Sequence, residues 1–238
     1  MQMSMLVLVL LGFGDGAPWG YEGEKGPEHW GHLNPEYILC AEGHNQSPID
    51  LSAFIEADLP QIEMNYTSDA VAVVNNGHTL QVNFGPGSSL TFMGQTFALK
   101  QFHVHAPSEN TLAGKHFPME VHLVHADEQG QLAVIGVFLE PGEANPVLSA
   151  AWQNLPKAAG ENVALSPGIT ASGLIPADAD YFYFNGSLTT PPCSEGVRWL
   201  VMKKPMATSQ AQIEAFKALM HHATNRPVQP RNARQVLQ

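Results

Sequence analysis

SLTFMGQTFALKQFHVHAPSEN, Ser89 to Asn110, is the stretch on which the fold turns. Up to Ala106 it is two alternating runs rich in β-branched and aromatic residues, broken at Gly94. That is the pattern of two strands joined by a tight turn. The neighbouring stretches repeat the form. VAVVNNGHTLQVNF, Val71 to Phe84, turns at Asn75-Asn76-Gly77, and MEVHLVHADEQGQLAVIGVFLE, Met119 to Glu140, turns at Asp127 to Gly130. Helical spacing is sparse, with Asn145 to Leu155 and Ser209 to Leu219 the better candidates. The 21 Gly and 18 Pro are scattered rather than gathered into a linker, and no internal repeat is present. The expectation is a β-rich α+β fold: a single domain, residues 17–238, around a large, mostly antiparallel central sheet with short peripheral helices.

The same stretch carries the chemistry. Side chains alternate across a strand, so Gln101, His103 and His105 share one face, with Phe102 and Val104 on the other. Same-face neighbours stand about 6.6 Å apart, close enough for two imidazoles to converge on one atom. H-x-H alone is weak. In MEVHLVH, however, Glu120, His122 and Val124 share a face, and a histidine on an adjacent strand completes a set of three. His122 is preferred to His125 because Glu120 lies on its side, and a ligating imidazole needs an acceptor for its second N–H. Gln101 can serve His103 in the same way. His116 has the right parity but lies about 20 Å along the strand. Three neutral histidines with no thiolate or carboxylate match the catalytic zinc pattern, in which three protein ligands leave a position for water. Such a site lowers the pKa of bound water to about 7. The competing reading is three hydrogen-bonded core histidines.

Composition narrows the partners. Hydrophobic residues make up 44% of the chain and charged residues 14%, which argues for a packed core and against disorder. A net charge of −11 argues against nucleic acid, whose phosphates need Lys and Arg. From Arg198 onward seven Lys/Arg face one acid, Glu214, but the arginines of NRPVQPRNARQV sit among Asn, Pro and Val and read as built into the fold. Met5 to Phe13 is an apolar run closed by small residues, like the core of a secretory signal, with cleavage near Gly16 or Ala17. It lacks a preceding Lys or Arg, and nine residues cannot span a bilayer. Removal of 1–16 as a signal peptide would leave a mature chain with no membrane insertion. Cys40 and Cys193 are the only cysteines. In a reducing compartment they would be two buried thiols, whereas an exported chain would pair them as a disulfide.

QFHVH-x-x-x-E, E-x-H-x-V-H, SLTTPPCSEGVRW and NNGH, with GPEHW and AEGHNQSPIDL before them and NRPVQP after, resemble the α-class carbonic anhydrases. The likeness runs from about Trp19 to Gln235, and the leader with the cysteine pair makes it similar to the exported bacterial type, periplasmic or secreted. The resemblance implies Zn²⁺ on His103, His105 and His122. It implies positioning partners Gln101 for His103, Glu120 for His122 and the Asn225 carbonyl for His105. It makes Thr189 the acceptor of a hydrogen bond from zinc-bound hydroxide and Glu109 the acceptor of the Thr189 proton. It sets Thr190 against bicarbonate, and Val124, Val134, Leu188 and Trp199 as an apolar wall for carbon dioxide. It makes His78 a proton shuttle, with Tyr21, Asn76 and Gln81 along the proton path. It further implies a Cys40–Cys193 disulfide, cis bonds at Ser47-Pro48 and Pro191-Pro192, and a homodimer, which no stretch of this chain encodes. His29, His32, His44, His221 and His222 match no catalytic position and read as surface or structural.

The activity implied is reversible hydration of CO₂ to bicarbonate and a proton. Two alternatives belong to other classes. A non-catalytic carbonic-anhydrase-like binding domain typically lacks one or more of the zinc histidines, all of which are present here. A zinc hydrolase of esters or peptides lacks its usual signature, since the chain has no H-E-x-x-H.

Overall fold

The computed structural model describes residues 18–238, so the leader-like stretch lies outside the described residues. The three expected hairpins form. Ala70–Asn75 pairs antiparallel with Leu80–Phe84, Ser89–Phe92 with Gln95–His105, and Met119–Ala126 with Leu132–Pro141. Each turn has its own local cause. Met93 and Gly94 both take positive φ, 50° and 76°, a geometry whose twist suits a two-residue hairpin. The Asp127 carboxylate accepts from the backbone N–H of Gln129 and Gln131. The Asn76 side-chain oxygen accepts from His78 and Thr79.

These strands belong to an eleven-stranded sheet whose main path runs Asn162–Ala164, Ala70–Asn75, Leu80–Phe84, Gln95–His105, Met119–Ala126, Leu132–Pro141, Glu195–Met202, Tyr181–Ser187. Most neighbours are antiparallel, as expected. The sheet is nonetheless mixed, because Leu132–Pro141 pairs in parallel with both Glu195–Met202 and Met206–Thr208. Between them the chain leaves through the helix Pro146–Ala151 and the edge strand Asn162–Ala164. A crossover of that length can return a strand in the same direction, which a hairpin cannot.

Alternation gives the sheet two buried faces. Phe102, Val104, Val121, Leu123, Ile135, Val137 and Leu200 point into the larger core, which the helices cover with Leu148, Ile213 and Phe216. Val124, Val134, Phe138, Trp199 and Val201 point to the other face, into a smaller cluster with Ile49, Leu51 and Phe184. The helix Gln210–Met220 starts with a capping box between Ser209 and Gln212 and stops where His221 turns left-handed at φ 64°. The other helix is shorter than the spacing predicts, ending at Ala151 rather than Leu155. Pro156 disfavours helical dihedrals just before it. Among the described residues, no helix is long and apolar enough to cross a membrane.

The C-terminal arginines are built in. Arg226 is 1% exposed and donates to Gln46 Oε1 and the carbonyls of Ser47 and Cys40. Arg231 reaches the Ser52 carbonyl, and Arg234 those of Pro230, Arg231 and Asn185. Cys40 and Cys193 form a disulfide, which bespeaks an oxidising compartment. Ser47-Pro48 and Pro191-Pro192 are cis, and so is Ala106-Pro107.

The disulfide closes a loop across a separation of 153 residues. In the chain-entropy account, the Cys40→Ser/Cys193→Ser double variant loses on the order of 4–5 kcal/mol, read as a lower denaturant midpoint. A second prediction concerns His125, on the larger-core face, whose Nε2 hydrogen-bonds the Tyr66 hydroxyl at 2.9 Å. Burial pushes its pKa down to about 3. Between an ordinary value of about 6.5 and that folded value, the unfolded chain binds the extra proton, so stability falls as pH falls. The contribution is about 1.4 kcal/mol per pH unit. In urea titrations from pH 7 to pH 4, His125→Gln should show a shallower decline than the parent; parallel curves would reject the assignment.

Candidate metal centre

His103 and His122 are direct partners in the antiparallel ladder between Gln95–His105 and Met119–Ala126, and His105 faces Glu120. Lys100 is the extra residue of an irregularity between Leu99 and Gln101, after which the alternation runs unbroken through the histidines. One ring nitrogen from each of His103, His105 and His122 lies within 4.8 Å of the others, the one such group among the described residues. Two of the other nitrogens are hydrogen-bonded and the third faces a carboxylate. His103 Nδ1 lies 2.9 Å from Gln101 Oε1, His105 Nδ1 2.5 Å from the Thr224 carbonyl, and His122 Nε2 3.2 Å from Glu120 Oε1. That arrangement turns Nε2 of His103, Nε2 of His105 and Nδ1 of His122 toward one another.

The electrostatics suit a cation. Burial, reinforced by the charge of His122, holds His103 and His105 well below the usual histidine range, so both offer lone pairs at neutral pH. Burial also opposes charge on His122, but the Glu120 and Glu109 carboxylates outweigh it and raise its pKa. His105 Nε2 is buried without a hydrogen-bond partner in the protein. Leaving such an atom unsatisfied costs about 1–3 kcal/mol, which metal ligation removes. Three imidazoles, two hydrogen-bonded from behind and one set against a carboxylate, fit Zn²⁺.

The supports are themselves held. Glu120 is fully buried, and its carboxylate accepts from the backbone N–H of Glu109 and Asn110 and from the Asn110 side chain, at 2.8–2.9 Å. Gly136, the partner of His122 on the other side, leaves the room for that carboxylate. Glu109 Oε1 accepts from Arg226 N at 2.8 Å, while Oε2 stands 3.4 Å from His105 Nε2 and 3.8 Å from His122 Nδ1. Burial pushes the Glu109 carboxyl up to about 7, against the pull of His122, the Arg226 N–H and a hydrogen bond from the Thr189 side chain. Thr189 and Thr190 sit in a loop closed by Leu188 N to Ser194 O and Cys193 N to Thr190 O, both 2.9 Å, and anchored by the disulfide.

Val124, Val134 and Trp199 fall in one buried cluster with Leu188 packed against it, and the Trp199 ring lies 4.8 Å from that of His122. At the rim, His78 stacks on Trp19 with ring centres 3.7 Å apart, and Tyr21 sets its edge toward both. Burial, and then the charge of His222, push the His78 pKa down to about 4. Gln81 pairs with His103 across the ladder and donates to Asn83 Oδ1. The Asn76 oxygen faces its own turn, so this residue shapes the loop that carries His78.

One correction follows. The carbonyl on His105 belongs to Thr224, not Asn225. Thr224 is locked to the end of the histidine strand by its N–H to the Ala106 carbonyl and by Ala106 N–H to its hydroxyl. Any residue supplies a carbonyl, so nothing in the side chains of TNRP marks which one is used. Asn110 and Thr224 were not singled out from the sequence, Arg226 was read only as built into the fold, and His222 as surface or structural. Only Asn110 had a local signal, its place beside Glu109.

The eukaryotic-type carbonic anhydrase family model matches residues 25–238. A carbonic anhydrase of Pectobacterium carotovorum is 45% identical over 223 residues, 94% of this chain and 91% of that protein. Among solved structures, the α-carbonic anhydrase of Thermovibrio ammonificans in complex with the inhibitor sulfanilamide superposes with a TM-score of 0.92 at 49% identity, covering 94% of this chain and all of that one. A hyperthermostable carbonic anhydrase from an active hydrothermal vent chimney gives 0.90 at 52% identity, covering 92% and 99%.

A test of the supports uses Gly136. An added Cβ would meet Glu120 Oε1 at 3.0 Å and Val201 Cγ2 at 3.3 Å. Gly136→Ala should therefore keep the fold, by circular dichroism, and weaken Zn²⁺ binding about tenfold or more in competition with a chelator. Unchanged affinity would show that Glu120 is not the support described.

Proposed function

The chain belongs to the eukaryotic-type, or α, carbonic anhydrase family, and on that footing we propose that it is an enzyme that hydrates CO₂ reversibly to bicarbonate and a proton, with Zn²⁺ held by His103, His105 and His122. The observation that carries this reading is the inward turn of three imidazole nitrogens, each ring oriented from behind by Gln101, Thr224 or Glu120. Zinc in such a set lowers the pKa of water to about 7 and so supplies hydroxide at neutral pH.

The chain's own groups do the rest. Thr189 donates its hydroxyl hydrogen bond to the buried Glu109 carboxylate, which leaves the Thr189 oxygen as an acceptor for the attacking hydroxide and fixes the direction of its lone pair. Arg226 N–H holds the other carboxylate oxygen, so Glu109 cannot turn away. CO₂ has neither charge nor a hydrogen-bond donor, and the wall of Val124, Val134, Leu188 and Trp199 beside His122 suits it. Thr190 would meet the bicarbonate product. Each hydration releases one proton, which His78 relays to buffer by way of the polar rim with Tyr21 and Gln81. The leader-like run and the disulfide support export, to the periplasm or beyond the cell.

His122→Ala should lose both bound zinc and CO₂ hydration, measured side by side; retained turnover would sink the proposal. Thr189→Ala should keep its zinc while kcat/KM falls on the order of a hundredfold, the usual scale for one lost orienting hydrogen bond.

A further inference from the structure

His78 is an awkward lone relay. Its ring lies flat on Trp19, at 3.7 Å and 7°, and burial makes it a weaker base than a free imidazole. A second imidazole stands close by. The His222 ring centre is 5.8 Å from that of Tyr21, and Tyr21 is 6.5 Å from His78, so one phenol ring neighbours both histidines. The charge of His222 also reaches His78. The chain path makes this juxtaposition specific. The helix Gln210–Met220 ends on left-handed His221, and three residues later Thr224 supports His105, so His222 is delivered to the rim by the segment that orients a ligand. His222 is half-buried, and its Nδ1 lies 2.9 Å from the Ala223 carbonyl. With the proton on Nδ1, Nε2 is the acceptor.

We propose that His222 is a second proton-transfer residue for CO₂ hydration, working beside His78 across Tyr21; this rests on the reaction proposed above. The step balances simply. Nε2 of His222 takes the proton that each hydration releases, the ring becomes imidazolium, and a buffer base removes the proton and restores the neutral ring. Because the two rings repel when both are charged, the proton resides on one or the other, giving two alternative exits. The titratable groups set against the pair are Tyr21 and, acting on Tyr21 through its charge, Glu109.

The test compares the zinc-loaded parent, His78→Ala, His222→Ala and the double variant in CO₂ hydration at low and high buffer. His222→Ala should lower kcat severalfold in weak buffer, leave kcat/KM unchanged, and recover with added imidazole. The double variant should fall below either single one. A readout independent of turnover is the NMR titration of the His78 ring, which should move to higher pH in His222→Ala as the neighbouring charge disappears. An active parent whose low-buffer kcat is unaffected by His222→Ala, alone and in the His78→Ala background, overturns this inference only. A zinc-loaded parent that does not hydrate CO₂ overturns the reaction itself.

Discussion

The antiparallel register that sets His103 opposite His122 is the constraint on which the rest of this molecule depends. Side chains alternate with period two, so a slip of one residue would turn His122 into the larger core and bring Val121 or Leu123 out in its place. Neighbouring strands hold the register from both sides. Val121 and Leu123 are fully buried on the opposite face, and Gly136 alone gives the space that the Glu120 carboxylate occupies beside His122. Packing on one face of the sheet thus sets the geometry of the chemistry on the other.

A second level of order comes from buried charge, which a protein tolerates only when hydrogen-bonded or paired. Glu120 is held by three donors from the Glu109–Asn110 turn. Glu109 is held by the N–H of Arg226, whose guanidinium is itself spent on Gln46, Ser47 and Cys40 and lies 5.7 Å from the Trp30 ring. The N-terminal segment, the disulfide and the C-terminal loop therefore meet behind the Glu109 carboxylate. Segments far apart in sequence are tied there by the several hydrogen bonds of Arg226, so the site is a property of the closed fold rather than of any one strand.

Much of this was legible beforehand because period-two patterning is local. The hairpins around Asn76, Gly94 and Asp127 follow from alternation and turn chemistry, and the choice of His122 over His125 follows from the face that Glu120 shares. Buried His125 against Tyr66 shows what the other face does with a histidine: it makes it a core residue. The mixed character of the sheet was less legible, since the parallel placement of Glu195–Met202 beside Leu132–Pro141 depends on where a long crossover returns. Thr224 was misplaced by one residue because a backbone carbonyl leaves no mark in sequence.

The amino-acid sequence by itself determined the strands, the face on which the histidines stand and the donor set for a metal. Tertiary structure alone decided which carbonyl steadies His105, that Arg226 backs Glu109, and that His222 shares the rim with His78 and Tyr21. The division has a physical basis. Alternation and turn propensity act over a few residues and can be read along the chain. Contacts such as Glu109 to Arg226, 117 residues apart, exist only once the chain has closed on itself.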